Sequence, residues 1–303
     1  MNALLAGLPG DVYTKGNDVA ATHPGRLETM LTSPPFALLP YPEIDPVIFE
    51  VGPLAIRWYA VAYIVALILG WRYVLVLNRR RAHLLEDRQV DDLLIWMTLG
   101  VILGGRLGYV LFYNAPYYLE QPLAALYVWQ GGMSFHGGLL GVVLAMFLFA
   151  RRNSVSLLRL ADLVTPAIPV GLFFGRLANF INAELFGRAS DVAWAMVFPT
   201  DPDRLARHPS QLYEAALEGL LLALLLAWLV WRTPALSRPG LCSGVFLTGY
   251  ALARGLAELF REPDAQLGFL WGGATMGQLL SLPMLLAGLA LVWIARQRPA
   301  FSP

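Results

Sequence analysis

Beyond residue 53 the chain alternates long apolar runs with short polar connections. Runs at Leu54–Leu77, Leu93–Tyr113, Phe135–Ala150, Leu163–Ile181, Leu212–Trp231, Leu241–Phe260 and Met276–Ala295 each approach the length of about 20 residues that an α-helix needs to cross a bilayer. The pattern predicts an all-α polytopic membrane protein with seven transmembrane helices, the third being the shortest. Composition agrees, with 57% hydrophobic and 14% charged residues, where soluble domains hold about 45–50% and about 25%. Mean hydropathy is +0.56, so a soluble fold of this length could not hide its apolar surface.

Charge matters by position, because 22 basic residues against 21 acidic create no global field to attract nucleic acid. The connections at one end of the predicted bundle carry Arg79, Arg80, Arg81, Arg88, Arg151, Arg152, Arg159, Arg232, Arg238, Arg296 and Arg298. Those at the other carry Arg188, Arg204, Arg207 and Arg261, and the stretch 114–133 holds no basic residue. The positive-inside rule then predicts an outer N-terminus and a cytoplasmic C-terminus. Residues 1–40 are expected to be an extension outside the folded body, or to follow a start placed too early. They lack the basic and apolar regions of a signal peptide. Residues 41–298 are expected to form the seven-helix domain, with outer loops at 114–134 and 182–211, and 299–303 a cytoplasmic tail. The aromatic segment Tyr113–Trp129 reads as lying along the outer membrane surface. Gly100, Gly104 and Gly108 fall on one helix face, where a neighbouring helix can approach closely.

Ionisable residues inside spans are the informative ones, since a central Arg costs about 2.5–3.5 kcal/mol even on lenient scales. Arg254, Glu258 and Arg261, at steps of four and three, share one helix face. One carboxylate cannot neutralise two guanidinium groups, so this stripe leaves a surplus positive charge that invites an anion, unless it is a structural ion-pair ladder. Arg176 and Asn179 share a face of another span, followed by Asn182, Glu184, Gly187 and Arg188. Two arginine-bearing helix ends on one membrane side suit a phosphate clamp, and interhelical glue is the competing role. His136, within Gly131–Gly138, stands among glycines that let backbone or substrate come close and can titrate near neutral pH as a general base. Ser134 finds no acidic partner for a triad. Tyr59 and Tyr63, one turn apart, face either a cavity or the interfacial belt. The single cysteine, Cys242, reads as a packing residue, and His23, His83, His136 and His208 lack metal-ligand spacing.

Arg57-Trp58-Tyr59, Gly104-Gly105-Arg106-Leu107-Gly108-Tyr109, Gly131–Gly138, Gly175–Arg188, His208–Glu214, Arg254–Arg261 and Pro263–Gly268, in this order, make the chain from about Ile44 to Ala295 resemble the prolipoprotein diacylglyceryl transferase family. The resemblance implies transfer of an sn-1,2-diacylglyceryl group from phosphatidylglycerol to the lipobox cysteine thiol of a prolipoprotein signal peptide, with release of glycerol phosphate. It implies membrane lipid and these two substrates as partners, and neither metal nor cofactor. Carried over residue by residue, it implies catalytic roles for Tyr59, His136, Arg176 and Arg254, and substrate-binding roles for Asn179, Glu184, Gly187, Glu258 and Arg261. Ala178 and Ala183 depart from the family pattern, where glycine is expected. Two other functions compete: an anion transporter, for which Arg106 offers a charge outside the main cluster, and a noncatalytic lipid-binding subunit.

Overall fold

The computed structural model describes residues 39–42, 44–52, 54–263 and 270–300. Most of the expected extension 1–40, residues 264–268 of the last motif and residues 301–303 of the tail lie outside them. The helices are α1 Trp58–Ala82, α2 Asp87–Phe112, the short α3 Ala115–Glu120, α4 Phe135–Arg152, α5 Leu157–Ile181, α6 Ser210–Arg232, α7 Leu241–Ala257 and α8 Met276–Gln297. Six of these, all but α3 and α7, are long and apolar enough to cross a membrane.

Two expected boundaries are corrected. The first helix starts at Trp58, because Leu54–Arg57 is a strand, β2, paired antiparallel with β1, Val47–Val51. Gly52 at φ +58 turns the hairpin. Helix α7 is 17 residues long and stops at Ala257, because the backbone beyond it pairs with the loop between α5 and α6. Gly187 and Arg261 form an antiparallel bridge there, and Arg188 N donates to Phe260 O at 2.9 Å. That loop carries a second small hairpin, β3 Met196–Val197 with β4 Ala206–Arg207.

The glycine stripe packs as its spacing predicts. A Cβ on Gly100 would sit 2.6 Å from Gly141 O of α4, and one on Gly108 2.8 Å from Gly137 Cα, so α2 and α4 touch backbone to backbone. Ser134 caps α4 by accepting from Gly137 N at 3.2 Å, which gives that hydroxyl a structural task.

The hydrophobic core gathers where the arginine-rich connections lie. Leu77, Leu93, Phe149, Leu160, Val230, Cys242 and Ala295, each near that end of its helix, form one buried cluster. Buried Asp162 of α5 accepts from Gly240 N, Ser243 N and Ser243 Oγ at 2.7–2.8 Å. A side chain of one span thereby satisfies the open N–H groups at the start of another.

Candidate active site

The opposite end of the bundle is polar, and its centre is an ion-pair cluster drawn from three helices. Arg176 near the end of α5 meets Glu214 Oε2 of α6 at 2.8 Å and Glu218 Oε2 at 3.5 Å. Arg254 of α7 meets the same Glu214 oxygen at 2.9 Å, Glu218 Oε1 at 3.6 Å, and Glu258 one turn further on. Arg261 reaches Glu258 Oε1 at 3.7 Å. All three carboxylates are buried.

This geometry overturns the surplus positive charge expected of the α7 stripe. Glu214 and Glu218 bring the cluster to three guanidinium groups and three carboxylates, so it is balanced. They are the functional residues that sequence reasoning missed, though a signal was present. Two carboxylates four residues apart inside an apolar run are as costly in lipid as the arginines that were noticed. The helix carrying them widens into a π segment, Ala215–Leu221, a distortion frequent at functional sites. Glu218 is fully buried, and among the described residues neither of its oxygens has a hydrogen-bond partner, so the ion pairs to Arg176 and Arg254 offset its desolvation.

From this cluster an apolar groove of about 590 Å³ runs between α1, α2 and α5. Arg176, Asn179 and Tyr59 line its polar end, Tyr63 and Leu172 its length, and Trp71 and Leu93 its far end. Trp71 Nε1 donates to Asp91 Oδ1 at 2.8 Å, tying α1 to α2 there. Asn179 is buried and joins the polar groups. Its Nδ2 donates to Glu184 Oε1 at 2.7 Å and to Tyr59 Oη at 3.3 Å, and its Oδ1 accepts from Arg176 Nη1 at 3.5 Å.

The structure thus brings together Tyr59, Arg176, Asn179, Glu184, Arg254, Glu258 and Arg261. Gly187 belongs to the loop docked against this cluster, where a Cβ would lie 2.8 Å from His208 O. Its neighbour Arg188 donates to Glu258 O at 3.1 Å and Arg261 O at 2.9 Å, holding the end of α7 against the loop. His136 stands apart from the ion pairs. It is exposed in the first turn of α4, and its ring contact is with Phe135, which lines the groove. Ala178 and Ala183 are buried without glycine, and Ala183 adopts φ +53.

Asp201, Arg207 and His208 in the loop between α5 and α6 have shifted acidities. Hydrogen bonding from Arg207 holds the Asp201 carboxyl below the usual carboxylate range, with Arg207 Nε at 2.6 Å. Burial pushes the His208 imidazole down, between the rings of Tyr213 and Phe260. Arg106 is buried and donates to the carbonyls of Ala124, Ala125, Gly131 and Gly132 at 2.5–3.2 Å, with its guanidinium 5.3 Å over the Tyr118 ring. Its charge is thereby committed to backbone, and it cannot serve as the second station of an anion pathway. Among the described residues no three His, Cys, Asp or Glu side chains converge to hold a metal ion.

The family model for prolipoprotein diacylglyceryl transferase matches residues 46–294. A phosphatidylglycerol–prolipoprotein diacylglyceryl transferase of Rhodospirillum rubrum is 62% identical over 262 residues, 86% of this chain and 95% of that protein. Proteins of the same name from Azospirillum brasilense and Paramagnetospirillum magneticum are 60% and 59% identical, each covering 86% of this chain and 97% of the relative.

Proposed function

The chain belongs to the prolipoprotein diacylglyceryl transferase family, and on that premise we propose that it moves the diacylglyceryl group of phosphatidylglycerol onto the lipobox cysteine thiol of prolipoproteins. The observation that carries this reading is the placing of Arg176 at the polar end of an apolar groove, with Arg254 behind it on the same carboxylate. A groove with apolar walls and a guanidinium at one end fits a molecule of acyl chains and one phosphate.

In this reading the cysteine sulfur attacks the glyceryl carbon that bears the phosphate. The carbon–oxygen bond breaks, a thioether forms, and glycerol phosphate leaves with one more negative charge than the diester carried. Arg176 bonds the phosphate oxygens from the groove wall and stabilises that charge in a poorly hydrated site. Arg254 holds Glu214 and Glu258 so that Arg176 keeps its direction. A thiol with pKa near 8.5 is only a few per cent ionised at neutral pH, and His136, whose ring meets the groove-lining Phe135, takes its proton. Tyr59, Asn179 and Glu184 fix the headgroup end, while Gly187, Glu258 and Arg261 hold the loop and α7 in place around it.

We read seven helices as crossing the bacterial inner membrane, with α7 the shortest, the polar end periplasmic and the arginine-rich end cytoplasmic, as the charge asymmetry favours. Cysteines replacing Glu120 and Arg152 in a Cys242→Ala background test this. The first is expected to label only from the periplasm and the second only from the cytoplasm, and reversed labelling overturns it. For the reaction, purified protein is incubated with labelled phosphatidylglycerol and a lipobox peptide. A thioether-linked diacylglyceryl peptide is expected, and none forming from a folded protein would refute the proposal.

A further inference from the structure

The end of the bundle away from the ion pairs holds a second cavity, of about 450 Å³, lined by Arg80, Arg81 and His83 from the end of α1, Arg159 of α5, and Thr233 and Ser237 between α6 and α7. Among the described residues no carboxylate contributes to its lining. The three consecutive arginines after the apolar run of α1 have separate fates. Arg79 turns away to pair with Asp87 at 2.7 Å. Arg81 is anchored by donating to Thr233 O at 2.9 Å, with Trp231 beneath it at 6.0 Å. Arg80 and Arg159 make no hydrogen bond or ion pair with a described residue.

Their convergence is built into the backbone. His83 ends α1 in the left-handed region at φ +45, an uncommon conformation for a residue with a side chain, and this turn brings positions 80, 81 and 83 to one cavity. Arg159 sits in the first turn of α5, where the helix dipole disfavours a cation. Helix electrostatics therefore leave its charge unexplained, and an anion beside it would relieve both. A cavity of this size holds more than a bare ion.

From this geometry we infer that the cavity is a binding site for the phosphate headgroup of an anionic membrane lipid, separate from the groove and from catalysis. Basic residues directly after a span lie at headgroup level, and basic pockets between helices take such headgroups. A soluble phosphate compound offers the same chemistry, but Pro234 and Leu236 also line the cavity, and this apolar wall suits a lipid.

Native mass spectrometry of the full-length protein in detergent, titrated with dioctanoyl phosphatidylserine, dioctanoyl phosphatidylcholine or inorganic phosphate, tests the inference. Wild type is expected to retain one more phosphatidylserine than the Arg80→Gln/Arg159→Gln variant, with no difference for phosphatidylcholine. Each arginine removed should weaken that site about fivefold, as expected for about 1 kcal/mol per basic residue at a lipid surface. Arg159→Gln alone leaves the 79–81 run intact and keeps the comparison valid if the double variant inserts wrongly. Equal lipid retention by wild type and Arg159→Gln would overturn the site, and occupancy by inorganic phosphate in place of lipid would overturn the ligand. The readout is lipid stoichiometry, so the result stands whether or not the proposed transfer is observed.

Discussion

Arg106 and Arg176 are charges in neighbouring parts of the same polar end, satisfied by different kinds of partner. Arg106 is held by backbone carbonyls, which cannot leave, and it borders no part of the groove. Arg176 is held by the carboxylates of Glu214 and Glu218, on side chains that can rotate, and it lines the groove. A guanidinium whose donors all go to fixed dipoles acts as a fastener, here binding the segment 113–132 to α2. One whose partners are side chains beside an open cavity can exchange part of its bonding for a substrate phosphate. Partner type separates scaffold from chemistry where burial and charge do not.

The comparison is sharpened most by Arg176→Ala, which is expected to lower thioether formation by at least about a hundredfold, the scale of losing a donor aimed at developing charge. Its folded fraction should persist in detergent. Turnover within tenfold of wild type would place Arg176 with Arg106 among the fasteners. Next, Arg106→Gln is expected to lose at least about 3 kcal/mol of stability, because several buried carbonyls lose their donor together. The remaining folded protein should turn over within about threefold of wild type. A variant of normal melting temperature and poor activity would break the distinction from the other side.

Smaller effects probe the connections between parts. Tyr59→Phe removes the hydroxyl that accepts from Asn179, a bond worth about 1 kcal/mol. It should raise KM or lower kcat by about fivefold and lower the melting temperature by no more than about 2–4 °C, and an unchanged rate would detach Tyr59 from the headgroup end. The smallest expected effect is the pH response of the outer loop. Burial favours neutral His208, so its contribution to stability is complete above about pH 6.5. As pH falls, the unfolded chain takes a proton first, and the contribution is lost as pH drops through the folded value. Asp201, held down by Arg207, behaves in the same sense lower on the scale. Its contribution is complete above about pH 3.9 and is lost as pH falls through its folded value. Melting temperature measured between pH 8 and pH 4, about the range in which His208 responds and Asp201 does not, should decline, and less in His208→Phe. An equal decline in that variant would remove His208 from the explanation.

The apolar runs made six spans legible because a bilayer imposes length and hydropathy on any helix that crosses it. The glycine stripe was legible because its period of four places it on one face. The α7 stripe was misjudged because spacing tells which residues share a face of one helix and is silent on which faces meet. Glu214 and Glu218 come from α6, and only the packing of three helices shows that they complete the charge balance. The strand Leu54–Arg57 escaped for a related reason, since an apolar run has no alternation to distinguish strand from helix. The motif segments themselves were the most legible part. Residues from Gly175–Arg188, His208–Glu214 and Arg254–Arg261 meet at one place, although no local rule joins them.

The carbonyls that fasten Arg106 belong to residues 18 to 26 positions later in the chain. The guanidinium therefore draws these acceptors from the connection that follows its own helix. The hairpin of α2 and α4 is thus closed twice, by the glycine faces along the helices and by one buried charge at their connection.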